Sequence, residues 1–355
     1  MERRSNIIYI ALTLIFIILF IIMWFVFENR NKAEMEMYDD KVAQYNQRQE
    51  KKLTDEEKKA ERDALLLAEV KGIACWGDGF TYGTNGMGVS YPGTIDELVK
   101  NEDYPYPVVN LGVYGEDSLT VLGRSGAIPF ITKYDFTIEG NDTELIELGI
   151  TSENGEEVNP CIREYNPGFN PCVIAGVKCV VYGATLPDDI NKASTYYFNR
   201  RDSSTKVIDV PAGTEIVTSG STDYKDYINI LQIGDSGGYK DDDELIEQSI
   251  RFAESLGDSD NYIIIGRIGG SDDDNEYYDE AMEEEFGVHY VNIRKALTGS
   301  EREGVVYNDN DRIKMKKGLI PDCLKSGDYF NSRGYRAVGE IIYEKIKELD
   351  MIGNE

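Results

Sequence analysis

Four short stretches set polar side chains beside glycine turns, the pattern from which acyl-transfer and anion-binding sites are built. Residues 73–83, IACWGDGFTYG, run from an apolar strand-like segment into Asp78, Gly79 and Tyr82. A second stretch carries Asn110, Gly112 and Gly115, and a third is Gly234-Asp235-Ser236-Gly237-Gly238. The fourth, residues 326–346, SGDYFNSRGYRAVGEIIYEKI, opens with Ser326, Asp328 and Tyr329. Serine hydroxyls such as Ser236 or Ser90 become nucleophiles only beside a proton acceptor, for which Asp78 and Asp328 are the carboxylates at hand. The backbone N–H groups of Gly79, Gly112 and Gly115 could cradle a carbonyl, carboxylate or sulfate.

These stretches need a scaffold, and the pattern from residue 71 onward supplies one. Strand-like apolar runs at 73–76, 108–111, 228–233, 262–265 and 290–293 alternate with helix-like stretches at 94–100, 243–256, 276–286 and 334–349. Such alternation predicts an α/β domain, a parallel sheet between two helix layers. Ligands in such sheets bind outside the carboxyl ends of the strands, where the glycine turns fall. His289, the sole histidine, opens the last strand-like run and so belongs at the opposite edge, as a structural residue. Residues 123–227 break the alternation with short β-prone pieces between Gly, Pro, Asn and Asp turns, which predicts an inserted antiparallel β-domain.

The amino-terminal part reads differently. Residues 6–27, NIIYIALTLIFIILFIIMWFVF, are an uncharged apolar run of bilayer-spanning length, with no small-residue cleavage site after it. The expected layout is a cytoplasmic tail (1–5), a membrane anchor (6–27), a helical stalk (28–70), an α/β domain (71–122 and 228–349) and the insertion (123–227). The stalk mixes charge signs at helical spacing and reads as a solvated spacer; a short coiled coil pairing two chains is its alternative reading. The acidic bulk and the precedent of single amino-terminal anchors place the carboxyl-terminal mass outside the cytoplasm. With 65 acidic and 37 basic residues and a net charge of −28, nucleic acid is not an expected partner.

Five cysteines show no metal-ligand spacing, and no cofactor or metal is expected; outside the cytoplasm Cys161 could bridge Cys172 or Cys179. The acidic strings YKDDDE (239–244) and GGSDDDNE (269–276) lack the spacing of an EF-hand loop and read as helix amino-terminal charge.

Taken in order, the four stretches resemble the SGNH, or GDSL-type, hydrolase family, over residues 71–115 and 228–349. WGDGFTYGTNGMGVSYP and NSRGYRAVGEIIYEKI look like its opening and closing blocks. The resemblance implies an ester-cleaving site: a serine on the first turn, a histidine ahead of the last helix, and an aspartate three residues before that histidine. An oxyanion hole completes it, made by backbone N–H groups of the first two blocks and an asparagine of the third. Carried over, the nucleophile position falls on Gly79, the asparagine on Ser236, the orienting aspartate on Ser326 and the base on Tyr329. All four are replaced. Gly79 offers nothing to acylate, and a tyrosine of pKa about 10 is a poor proton acceptor near neutrality.

Two functions follow as expectations. One is a non-catalytic SGNH-like domain that binds a cell-envelope glycan, acyl group or partner protein through Asp78, Gly79, Tyr82, Asn110, Gly112, Gly115, Ser236 and Tyr329. The other is an active serine esterase or deacetylase with a rearranged site, using Ser236 or Ser90 with Asp78 or Asp328. The string IGDSGGY (233–239) also resembles the serine block of trypsin-like proteases. Those proteases are all-β and need a histidine upstream of the serine, so the string is read as coincidence.

Overall fold

The computed structural model describes residues 70–101, 106–140, 145–161, 167–186 and 189–352. The anchor and stalk expected at 6–27 and 28–70 lie outside the described residues, Val70 excepted. No helix among the described residues is long and apolar enough to cross a membrane.

In chain order the first elements are β1 (Ile73–Gly77), the one-turn α1 (Gly79–Tyr82), α2 (Tyr91–Asn101), β2 (Val108–Gly112) and α3 (Ser118–Ser125). Nine strands follow: β3 (Phe130–Thr132), β4 (Phe136–Ile138), β5 (Ile146–Leu148), β6 (Ile150–Ser152), β7 (Cys172–Ile174), β8 (Val177–Leu186), β9 (Asp189–Arg200), β10 (Ile208–Val210) and β11 (Glu215–Val217). The chain then runs through α4 (Gly220–Asp223), β12 (Ile228–Gln232), α5 (Asp242–Ser255), β13 (Tyr262–Ile265), α6 (Glu276–Phe286), β14 (Tyr290–Val291), α7 (Ile293–Thr298) and α8 (Asp309–Met315). It closes with a small ribbon, β15 (Lys325–Ser326) and β16 (Tyr329–Phe330), and the long helix α9 (Ser332–Glu348).

Five strands form one parallel sheet in the order β14-β13-β12-β1-β2. Strand alternation divides their side chains between two faces. Ile73, Cys75, Ile228, Ile230, Ile263 and Ile265 point to one, where Tyr91 and Ile95 of α2 and Tyr335, Val338 and Ile342 of α9 cover them. Ala74, Trp76, Leu231 and Ile264 point to the other, against Leu122 of α3, Phe252 of α5 and Met282 of α6. Both faces buried is why these strands read as continuous apolar runs. On the second face the apolar cluster continues without a break into Phe130, Phe169, Ile174 and Phe198 of the inserted strands.

Between α3 and α4 the expected antiparallel structure is present as a seven-stranded sheet, β5-β9-β8-β7-β11-β3-β6, with a two-stranded β10-β4 pair beside it. Besides the one-turn α1 and α4, three short helices differ from expectation. SLTVLGRS, whose Thr, Val and Gly disfavour a helix, forms α3 because Asp117 caps it by accepting from the Thr120 N–H at 2.8 Å. The strand expected at 290–293 ends at Val291, because Asn292 caps α7 by accepting from the Lys295 N–H at 3.0 Å. A full capping box of Asn308 and Asp311 starts α8.

The cysteines also differ from expectation. Cys172 and Cys179 face each other across β7 and β8, whereas Cys161 lies apart on the loop before β7, its backbone N–H donating to Glu116 at 3.1 Å.

Candidate functional site

In the parallel sheet β1 has β2 on one side and β12 on the other. The strand order therefore reverses between β1 and β12, and the crevice outside their carboxyl ends is where such sheets bind ligands. Asp78 follows β1 there, and Asp235 and Ser236 follow β12.

Asp78 is 2 % exposed. Its carboxylate caps α1 by accepting from the Phe80 N–H at 2.9 Å and also accepts from the Ser236 hydroxyl, which lies on the exposed loop across the crevice. Burial pushes the Asp78 carboxyl up to about 7; the hydrogen bonds from Ser236 and Phe80 oppose the rise, and the charge of Asp235 adds to it. Asp235 is itself raised by burial, against hydrogen bonds from the backbone N–H groups of Gly269 (2.7 Å) and Ile268 (3.0 Å). Gln232 donates to the same carboxylate at 3.0 Å, so Asp235 holds the loop after β13 against the end of β12.

Gly79 and Tyr329, far apart in the chain, meet. A Cβ built on Gly79 would stand 2.9 Å from both Cε1 and Oη of Tyr329 and 3.1 Å from Cδ2 of Tyr114. The Tyr329 ring is tilted against Phe80 at 4.8 Å between centroids and against Tyr114 at 6.2 Å. The space that a side chain at position 79 would need is thus filled by two tyrosine rings. Burial, then the charge of Asp78, pushes the Tyr329 phenol up to about 12, so it is a proton donor across the ordinary pH range.

Compared with protein-family models, with curated proteins and with solved structures, the chain matches none.

The remaining expected residues divide by what their groups already do. The Gly112 N–H donates to Oδ1 of Asn110 at 2.9 Å, and a Cβ there would strike the Tyr82 backbone nitrogen at 2.2 Å. Gly112 is thus a close-packing glycine, and its N–H is already engaged by Asn110. Asn110 turns its amide toward the Tyr82 carbonyl and the Ser90 hydroxyl, at 3.5 and 3.4 Å, fastening the loop after α1. Ser90 is occupied in that loop: its hydroxyl also accepts from the Gly93 N–H at 3.1 Å. Gly115 is exposed with φ +90°, a conformation that glycine adopts without strain. Ser326 is the register partner of Tyr329 in the small ribbon, and its carbonyl accepts from Asn85 at 2.9 Å. Asp328 is exposed at the ribbon's tip. Tyr82 is 58 % exposed and Tyr114 41 %, both at this end of the sheet.

His289 lies where its place at the start of β14 suggests. It stacks on Tyr262, the first residue of β13, and shares a hydrogen bond with the Tyr262 carbonyl at 2.9 Å. The acidic strings are engaged internally. Asp241 caps α5, Asp242 pairs with Arg267 at 2.9 Å, Asp272 pairs with Arg294 at 3.0 Å, and Asp274 accepts from the Ser271 N–H and hydroxyl.

Three residues beneath or over the site escape sequence reasoning. Tyr114 covers Gly79 from the loop after β2; its only signal is an aromatic between two glycines, GVYG. Arg124 and Glu116 form a fully buried pair at 2.6 Å, with Arg124 also donating to the Pro167 carbonyl at 2.9 Å and to the Gly77 carbonyl at 3.4 Å. That pair holds the end of β1, from which Asp78 and Gly79 emerge, against the insertion.

Proposed function

We propose that this chain is a membrane-anchored, extracytoplasmic relative of the SGNH/GDSL-type hydrolases that does not cleave esters at the family's nucleophile position. It binds a cell-envelope glycan, acyl group or partner protein on the surface around that position instead. On this reading the domain is a three-layer, flavodoxin-like α/β/α unit with an inserted β-domain, carried by the apolar run at 6–27. The strand order with its reversal beside β1 supports that finer description.

The observation that carries the functional reading is the Tyr329 ring, 2.9 Å from where a Cβ of residue 79 would stand. The position read as the nucleophile's is not merely vacant of a hydroxyl; it is packed by the residue at the base's position. Around it Tyr82, Tyr114 and Tyr329 offer aromatic faces with polar tips, a surface suited to the C–H face of a sugar ring or to an acyl chain. The fragment 65–355, which forms one compact unit, is expected to turn over aryl acetate esters no faster than buffer. Replacing Tyr82 and Tyr114 by Ala is expected to weaken binding of solubilised envelope glycan by about tenfold or more, roughly 1.4 kcal/mol.

One contact favours a second reading. The exposed Ser236 hydroxyl donates to the buried Asp78 carboxylate, the relation of a nucleophile to its proton acceptor. In that case ester turnover would rise with pH through about 7, where Asp78 loses its proton, and would vanish in Ser236→Ala. Turnover with both properties would replace the first reading by the second.

A further inference from the structure

Two thiols that the crevice does not use face each other in the insertion. Cys172 and Cys179 are register partners on β7 and β8, 1 % and 0 % exposed, with their sulfurs 3.3 Å apart. The strands are joined by Ala175 and Gly176, both with positive φ (+50° and +77°), the arrangement of a two-residue type I′ hairpin. In such a hairpin the pair flanking the turn, Ile174 and Val177, is hydrogen-bonded, and every second pair repeats the pattern. Cys172 and Cys179 are two residues further on, so their Cα atoms are about 5.5 Å apart, inside the roughly 4.4–6.8 Å window of disulfides. The sulfurs, 3.3 Å apart, need to close by little more than ~1 Å to reach bonding distance of ~2.05 Å, which takes side-chain rotation together with a slight approach of the two strands at this hydrogen-bonded pair. The other cysteines stand on separate elements: Cys75 in β1, Cys161 on the loop before β7, and Cys323 ahead of β15.

We propose that Cys172 and Cys179 form a disulfide that staples the β7–β8 hairpin. The oxidant is a small-molecule or protein disulfide. One cysteine thiolate attacks it, forming a mixed disulfide and releasing one thiol; the partner thiolate then attacks the cysteine sulfur of that mixed disulfide and releases the second thiol. Two protons and two electrons pass from the cysteines to the oxidant, which is reduced to two thiols. In the folded protein both sulfurs are buried, and the neighbouring thiol together with burial holds Cys179 protonated. The exchange therefore belongs to the folding chain, and the finished bond is shielded from small thiols.

The bond would lie next to the segment that fastens the insertion to α3 and to the start of α4. β7 is a central strand between β8 and β11. The segment entering it supplies the Pro167 carbonyl to Arg124, the Gly168 carbonyl to the Gly220 N–H at 2.8 Å, and the Asn170 carbonyl to Ser219 at 3.1 Å.

The test refolds the full-length chain in detergent, from the reduced and denatured state, with a mixture of oxidised and reduced glutathione. The product is denatured without reductant, alkylated and digested with trypsin, which cuts after Lys178 and so separates the two cysteines unless they are bonded. The expected result is one linked peptide pair joining Cys172 to Cys179, with Cys75, Cys161 and Cys323 alkylated. Alkylation of all five, or a link that includes Cys161, would overturn the proposal. The oxidised protein is also expected to melt about 5 °C above the reduced one, a difference absent from the Cys172→Ala, Cys179→Ala double variant. Equal melting temperatures with the link in place would contradict the staple.

Discussion

Substituting Gly79 by Ala tests whether Tyr329 fills the space that a side chain at position 79 would need, because alanine adds only the Cβ that any such side chain carries. Two opposed effects can be sized from the structure. Gly79 is the first residue of α1, and exchanging glycine for alanine in a helix gains about 0.5–1 kcal/mol. Against this, the new Cβ would lie 2.9 Å from two atoms of the Tyr329 ring and 3.1 Å from Tyr114. Phe80 and Tyr114 both pack on that ring, and overpacking of this kind costs about 1–3 kcal/mol. The net expectation is a destabilisation of about 1 kcal/mol, near 2 °C in melting temperature. In the Tyr329→Ala background the main clash is gone, and Gly79→Ala should be neutral or slightly stabilising, a coupling of about 1–2 kcal/mol. The assay is a double-mutant cycle by thermal and urea unfolding of fragment 65–355. An equal effect of Gly79→Ala in both backgrounds would refute the claim that Tyr329 occupies this space.

Two further expectations concern what lies around Gly79. Because the Asp78 carboxyl is held near 7 in the folded state, well above its unfolded value of about 3.9, the unfolded chain gives up its proton first as pH rises. Stability should fall by up to roughly 4 kcal/mol between about pH 4 and pH 7 on this account, and urea unfolding of Asp78→Asn should show a much flatter pH dependence over that window; equal slopes would contradict it. Arg124→Met should cost about 3–5 kcal/mol, because it leaves the buried Glu116 without its cation. The Arg124→Met, Glu116→Leu pair should recover much of that loss in the same urea assay.

Much of the scaffold was legible in the sequence because burial on both faces makes strands uniform. YIII at 262–265 and the helix at 276–286 stand where their apolar patterns place them. α3 and α7 were not legible, since each rests on a single capping side chain, Asp117 or Asn292, rather than on propensity. No local pattern announces the meeting of Gly79 with Tyr329, residues at opposite ends of the domain's sequence. The Ser236–Asp78 bond spans 158 residues and is one of the four serine–carboxylate pairings that the sequence offered for a rearranged site, with nothing local to choose among them. Gly112 shows the opposite limit: a glycine read as a ligand cradle is required by close packing on residues 81 and 82.

The central claim, that the crevice lacks a working serine nucleophile, is tested most directly by covalent chemistry. Fragment 65–355 would be incubated with an excess of a fluorophosphonate at pH 8, where Asp78 is ionised, and its intact mass measured. The unmodified mass is the expected result. A stoichiometric adduct located on Ser236 and lost in Ser236→Ala would contradict it.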